Sequence, residues 1–212
     1  MIHNKLLLVI FILFTNTATI NAKNNTADKF ISYLREIKSV ETDFIQKDSN
    51  GTESNGKLLI DKPHKFRCNY YPPFPLVIIG NKNYVSVYDY DMEQISRIKP
   101  KENIFNFLLE DDIDFEKHFN FESMFDDGKT LKFNIYHPLS ERKTIITFNK
   151  ETKELQKMEV IEEDNIITLT FAKINKVEEF SEDLFKIKNP DIFGPPDRLN
   201  KTDIEKKYKL AS

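Results

Sequence analysis

The side chains that could do chemistry are scattered along this chain of 212 residues. His64, His118 and His137 lie far apart and include no helical pair of the kind that binds zinc. Acidic clusters at 110–114 and 162–164 lack the glycine-centred spacing of a calcium loop, so solvated turn carboxylates are the simpler interpretation. With only five glycines, the chain has no glycine-rich phosphate loop. This pattern predicts no enzyme activity, no cofactor and no metal site.

A more specific pattern lies at residues 56–73, GKLLIDKPHKFRCNYYPP. On strands, alternate residues share one face: Leu58, Ile60, Lys62, Phe66, Cys68 and Tyr70. Cys68 is interpreted as a buried apolar side chain rather than a reactive thiol. Because it is the only cysteine of the sequence, an intramolecular disulfide is excluded. Lys62 is costly to bury unless its ammonium finds acceptors, for example the carbonyls of a covering helix. The alternative is that Lys62 extends to the rim beside Asp61.

Amphipathic periodicity predicts a helix over 27–40, with Phe30, Leu34 and Ile37 on its apolar face. After it, the apolar period becomes two over roughly ten short segments separated by turn signals. NIFNFLL at 103–109 predicts a short inserted helix whose apolar face carries Phe105, Leu108 and Leu109. The fold class is therefore mainly β with helices (α+β). We expect a large antiparallel sheet, curled or closed like a barrel, with both helices covering its concave face.

The first residues are typical of a secretory signal peptide. MIHNK precedes the apolar run LLLVIFILF at 6–14, and small polar residues lead to a predicted cleavage site after Ala22. The alternative is an uncleaved membrane anchor. The remaining chain is predicted to form one domain over 23–196, with 197–212 as a polar, mobile or loosely docked tail. The formal net charge of −3 argues against nucleic acid or anionic membrane surfaces as partners.

Residues 44–94 contain an ordered series of residues: Phe44, Gln46, Gly56, Lys62–Pro63, Phe66–Arg67–Cys68, Tyr70, Pro73, Gly80, Val87, Tyr88–Asp89 and Glu93–Gln94. In its order and spacing, this series resembles the outer-membrane lipoprotein carrier family, LolA. The likeness covers roughly residues 28–193. Two positions depart from the family. Lys62 replaces an arginine that is thought to hold the lid by hydrogen bonds to the backbone of the lid, and Cys68 replaces a tryptophan.

The resemblance implies an unclosed antiparallel β-barrel, covered by an N-terminal helix and a mid-chain helical lid, with an apolar cavity for the acyl chains of lipoproteins. The protein would be a monomeric periplasmic chaperone without catalytic activity. It would receive lipoproteins from an inner-membrane ATP-driven releasing complex and deliver them to an outer-membrane acceptor.

Together, the pattern and the resemblance predict an acyl cavity with Lys62 as the lid latch. The predicted lining residues are Phe30, Leu34, Ile37, Leu58, Ile60, Phe66, Cys68, Tyr70, Phe105, Leu108 and Leu109. Two alternatives use the same fold: an envelope protein that binds another lipid or hydrophobic ligand, and a periplasmic lipoprotein sensor. A secreted enzyme is disfavoured because no acid, base and nucleophile come together in the sequence.

Overall fold

The computed structural model describes residues 28–98, 109, 119–138, 141–163, 165–199 and 209–210. A helix, α1, covers residues 28–36, and a 3₁₀ helix (Glu182–Phe185) and a short helix, α2 (Pro190–Phe193), lie near the C-terminus. The strands are β1 (Ser39–Lys47), β2 (Glu53–Asp61), β3 (Lys65–Tyr70), β4 (Leu76–Gly80), β5 (Val85–Asp89), β6 (Gln94–Ile98), β7 (Asn120–Asp126), β8 (Thr130–His137), β9 (Arg142–Asn149), β10 (Leu155–Glu162), β11 (Asn165–Phe171), β12 (Asn175–Glu179) and β13 (Lys209–Leu210).

The strands form one open antiparallel sheet. Its order is β6-β5-β4-β3-β2-β1-β11-β10-β9-β8-β7, so two series of consecutive hairpins meet where β1 pairs with β11. β12 pairs with the start of β1, and β13 pairs with β12. β6 and β7 end the path and do not pair with each other in the described part of the chain. The unclosed antiparallel architecture predicted above is confirmed.

Side-chain alternation divides the sheet into two faces, and we call the one that carries α1 the inner face. Phe30 and Leu34 of α1 are fully buried against it. The Phe30 ring centroid lies 4.8 Å from that of Phe133 and 6.0 Å from that of Phe148, in tilted and edge-on arrangements. The helix is therefore fixed to β8 and β9 by an aromatic cluster.

The outer face carries the C-terminal segment, residues 180–199. Leu184, Phe185 and Leu199 pack there in a second apolar cluster with Leu59 and Val77. Leu199 is only 2% exposed, and Lys209–Leu210 pairs with β12. Part of the 197–212 tail therefore packs on the sheet, because an apolar side chain and a strand edge were available to dock it.

Arg67 fastens the C-terminal segment to the outer face. Its Nη1 donates to the Leu184 carbonyl at 3.1 Å, its Nε donates to Asn69 Oδ1 at 3.1 Å, and its Nη2 donates to the Asp197 carbonyl. Burial lowers the pKa of this guanidinium from its ordinary value, although the nearby Tyr90 and Asp197 favour its charge. A buried cation with these acceptors ties residues 184 and 197 to β3.

Two element predictions need correction. α1 ends at residue 36 rather than 40, because Ser39 and Val40 already pair with Asp61 and Ile60 in the sheet. β7, β12 and β13 were not predicted. In β7 the register shifts between Phe121 and Ser123, which breaks the apolar alternation, and the other two strands are short and mostly polar.

Candidate ligand-binding site

An apolar cavity of about 310 Å³ lies on the inner face. Both series of strands supply its walls, and Leu109 from the mid-chain segment also lines it. The lining residues are Phe44, Gln46, Leu58, Ile60, Phe66, Cys68, Tyr70, Ile78, Val85, Val87, Ile98, Leu109, Arg142, Met158, Val160, Glu162, Ile167, Leu169 and Phe171. Most are aliphatic or aromatic, which suits a ligand with a hydrocarbon chain.

The structure brings the β2 and β3 candidates together, because Leu58 is registered with Cys68 and Ile60 with Phe66. The predicted lining residues found at the cavity are Leu58, Ile60, Phe66, Cys68, Tyr70 and Leu109. The α1 candidates lie instead in the packed core, where they contact side chains of the inner face: Phe30, Leu34 and Ile37. Phe105 and Leu108 lie outside the described residues.

A glycine makes room for one wall of the cavity. Gly80 of β4 is registered with Phe66 of β3, and a Cβ at Gly80 would overlap the Phe66 ring. A larger residue would therefore push this ring away from β4, toward the cavity. Gly80 thus helps to keep the cavity open.

The wall contains a small cluster of uncharged polar groups. Tyr70 donates a hydrogen bond to Gln46 Oε1 at 2.8 Å and packs edge-on against Phe44, with ring centroids 5.1 Å apart. Burial raises the pKa of the Cys68 thiol to about 12, and burial also raises the pKa of Tyr70. Both groups stay neutral near neutral pH, so Cys68 is not an activated nucleophile.

The turn between β2 and β3 contacts both parts of the chain that cover the inner face. Lys62 Nζ donates to the Leu34 carbonyl of α1 at 2.9 Å. The backbone N–H of His64 donates to the Leu109 carbonyl at 2.9 Å. Leu34 lies in the last turn of α1, where the helix dipole favours a cation. Its carbonyl also accepts a hydrogen bond of 3.2 Å from the backbone N–H of Ile37. Lys62 is therefore placed to hold the C-terminal end of α1.

Sequence reasoning missed much of the opposite wall. β10 and β11 contribute apolar residues at alternate positions, among them Met158, Val160, Ile167 and Leu169. The alternation of these strands was visible, but the pairing of β11 with β1, which brings both strands to the opposite wall, was not. The polar lining residues Gln46, Arg142 and Glu162 were also missed as site residues, since their contacts depend on strand register.

The described residues contain no group of three or more His, Cys, Asp or Glu arranged to hold a metal ion. None of the helices in the described ranges has the length and apolar character that a membrane span requires.

Comparison with known proteins identifies the family. Residues 35–188 match the family described as "Outer membrane lipoprotein carrier protein LolA". The chain belongs to the LolA family. It is also 60% identical over 192 residues to an uncharacterized protein of Rickettsia prowazekii (strain Madrid E), covering 90% of each chain.

Other similarities are more limited. An outer-membrane lipoprotein carrier protein of Alkalilimnicola ehrlichii is 33% identical over 69 residues, which are 30% of this chain and 32% of the carrier. The fold also resembles the crystal structure of an uncharacterized conserved protein from Thermus thermophilus, with a TM-score of 0.50 and 10% identity over 78% of this chain and 96% of that one.

LolA-family proteins are periplasmic carriers that bind lipids or lipoproteins, and they are not enzymes. An open sheet with an apolar cavity on its inner face is consistent with a binding role of this kind.

Proposed function

We propose that this protein binds the acyl chains of lipoproteins in its inner-face cavity and carries them through the periplasm from the inner to the outer membrane. It would receive its cargo from an inner-membrane ATP-driven releasing complex and pass it to an outer-membrane acceptor. The observation that carries the proposal is the apolar cavity of about 310 Å³ in a LolA-family chain. A signal peptide cleaved after Ala22 would take the chain to the periplasm.

The size of the cavity limits how much of an acyl chain the protein can hold while α1 stays packed on the inner face. A water molecule occupies roughly 30 Å³ in the liquid and a methylene has a similar volume, so about ten methylenes would fill the cavity. Burying them is worth at most roughly 8 kcal/mol at about 0.8 kcal/mol per methylene, before the costs of binding. A lipoprotein with two or three longer chains would therefore have to displace the groups that cover the cavity.

Lys62 is the proposed latch of that cover. Its bond to the Leu34 carbonyl, together with the bond from His64 to Leu109, connects one turn to both covering segments. Displacement of α1 by a long acyl chain would break the Lys62 bond, and departure of the cargo would restore it. Affinity would thus decrease as the cover closes, which favours delivery to a more apolar site.

Identification of the bound material tests this proposal. The mature protein is purified from envelopes without detergent, and its ligands are extracted and analysed by mass spectrometry. We expect acylated lipoprotein N-termini, and in vitro we expect transfer of a diacylated fluorescent lipopeptide to acceptor-containing vesicles. Recovery of only phospholipid or another lipid would favour the alternative of a general envelope lipid-binding protein. Recovery of no lipid, with no lipopeptide binding, would contradict the proposal.

A further inference from the structure

The cavity has a polar end remote from Lys62. Lys62 follows the end of β2 that pairs with the start of β1, whereas Gln46 lies near the far end of β1, opposite Ser54. Gln46 lies six residues after Val40 along the strand, which corresponds to roughly 20 Å. Glu162 lies beyond Gln46 in the same direction. On β11, Thr168 is opposite Lys47 of β1, and the chain of β11 must be followed three residues further from Gln46, to Asn165, to reach the residue opposite Glu162. We call this end the mouth.

Arg142 and Glu162 form an ion pair at the mouth. Arg142 Nε lies 2.8 Å from Glu162 Oε1, and both residues line the cavity. Their side chains are 39% and 33% exposed, so they stand where the cavity meets solvent. Among the described lining residues, no other side chain carries a charge at neutral pH. The cavity therefore has a single positive group, and a carboxylate already neutralises it.

This arrangement would affect acyl ligands differently according to the charge of their head groups. A fatty-acid carboxylate at the mouth would have to compete with Glu162 for the Arg142 guanidinium, and Glu162 would repel it. An acyl chain linked through an ester or an amide brings no charge. Its carbonyl and N–H groups can bond with neutral polar side chains such as Gln46 and Tyr70, which lie at the same end.

Resting on the proposed function, we propose that Glu162 is a specificity-determining residue of the cavity. By pairing with Arg142, it makes the mouth select ester- or amide-linked acyl chains with uncharged heads over free fatty acids. The acylated cysteine of a lipoprotein and a neutral glyceride share this chemistry. The hydrocarbon chain points from the mouth toward Lys62.

The test compares two ligands with the same chain, palmitate and 1-palmitoylglycerol, by displacement of a fluorescent acyl probe. A diacylglyceryl lipopeptide forms a third arm that separates lipoprotein-like heads from simple glycerides. In Glu162→Gln, we expect the affinity for palmitate relative to palmitoylglycerol to rise roughly three- to tenfold, as for a partly exposed charge pair. The gain should shrink between about 0.1 M and 1 M NaCl, since salt screens an exposed pair.

Two variants control this experiment. Glu122→Gln removes the partner of Lys143, in an ion pair of 3.1 Å that does not line the cavity, and it should leave the ratio unchanged. The double variant Arg142→Gln with Glu162→Gln should return the ratio to the wild-type value. An unchanged ratio in Glu162→Gln, or an equal gain in Glu122→Gln, would overturn this inference alone. Failure of every acyl ligand to bind the wild-type protein would overturn the proposed function and this inference with it.

Discussion

Replacing Lys62 with methionine should alter both the closure of α1 and the retention of cargo. Methionine keeps a similar length and apolar stem but cannot donate to the Leu34 carbonyl, which lies 2.9 Å from Lys62 Nζ. A hydrogen bond from a charged donor contributes roughly 1.5–3 kcal/mol. Lys62 is half-buried, so we expect the lower end of this range, or about a tenfold change in the ratio of closed to open forms.

That magnitude suits a latch that cargo can open. Burial of roughly two methylenes would offset about 1.5 kcal/mol. If the bond forms only when the cavity is empty, its loss destabilises the empty form and leaves the loaded form unchanged. The apparent affinity for cargo should then increase by the same factor of about ten, and release should slow.

Two measurements on the same proteins check this prediction. Amide hydrogen exchange of α1 in the empty protein should accelerate about tenfold in Lys62→Met, and transfer of a fluorescent lipopeptide to acceptor vesicles should become slower. Lys62→Arg, which keeps a charged donor, should behave like the wild type. Lys65→Met is a matched control, since Lys65 pairs with Asp61 and Glu182, both at 2.7 Å. Equal exchange and equal release in wild type and Lys62→Met would show that Lys62 is only a rim lysine.

Three further predictions concern the two faces of the sheet. Leu58 lines the cavity, so Leu58→Glu should abolish acyl binding and keep a cooperative melting transition. Leu59 lies on the outer face and is 0% exposed, so Leu59→Glu should lower the free energy of unfolding by roughly 3–5 kcal/mol. Equal melting of the two variants would contradict this assignment of faces. Arg67→Met should lower the free energy of unfolding, measured by urea titration, by roughly 1.5–3 kcal/mol. Limited proteolysis of this variant should cut first within residues 180–199. Unchanged stability together with first cuts elsewhere would refute the anchoring role of Arg67. Burial raises the pKa of Cys68 from 9.0 to about 12, so its thiolate fraction at a pH below both values should fall roughly a thousandfold on folding. Alkylation of Cys68 should therefore be much slower in the native protein than in urea-unfolded protein, and equal rates would contradict this prediction.

The inner wall of β2 and β3 could be predicted from sequence because alternation within each strand places Leu58, Ile60, Phe66 and Cys68 on one face. The hairpin pairing then keeps this parity across both strands. The same reasoning could not separate a cavity wall from a packed core. Phe30 of α1 has the apolar spacing expected of a lining residue, but the rings of β8 and β9 fill the space beside it.

Other features depend on contacts between distant segments. Arg142 and Glu162 meet only because β9 and β10 pair in a register that places them side by side, just beyond Lys143 and Ile161. Neither residue stands out in its own strand. The docking of Leu199 on the outer face likewise depends on the apolar cluster beneath it, which a polar C-terminal composition does not indicate.

Occupation of the inner-face cavity by an acyl chain can be measured most directly by nuclear Overhauser effects (NOEs) between the acyl chain of a bound lipopeptide and the methyl groups of the protein. Ile78 and Ile79 are neighbours on β4, but Ile78 lines the cavity and Ile79 is buried in the outer-face cluster. We predict NOEs from the acyl chain to the methyl groups of Ile78 and Leu169, and none to those of Ile79 or of the exposed Ile192. NOEs that are strongest at Ile192, or equal at Ile78 and Ile79, would contradict an acyl chain bound in this cavity.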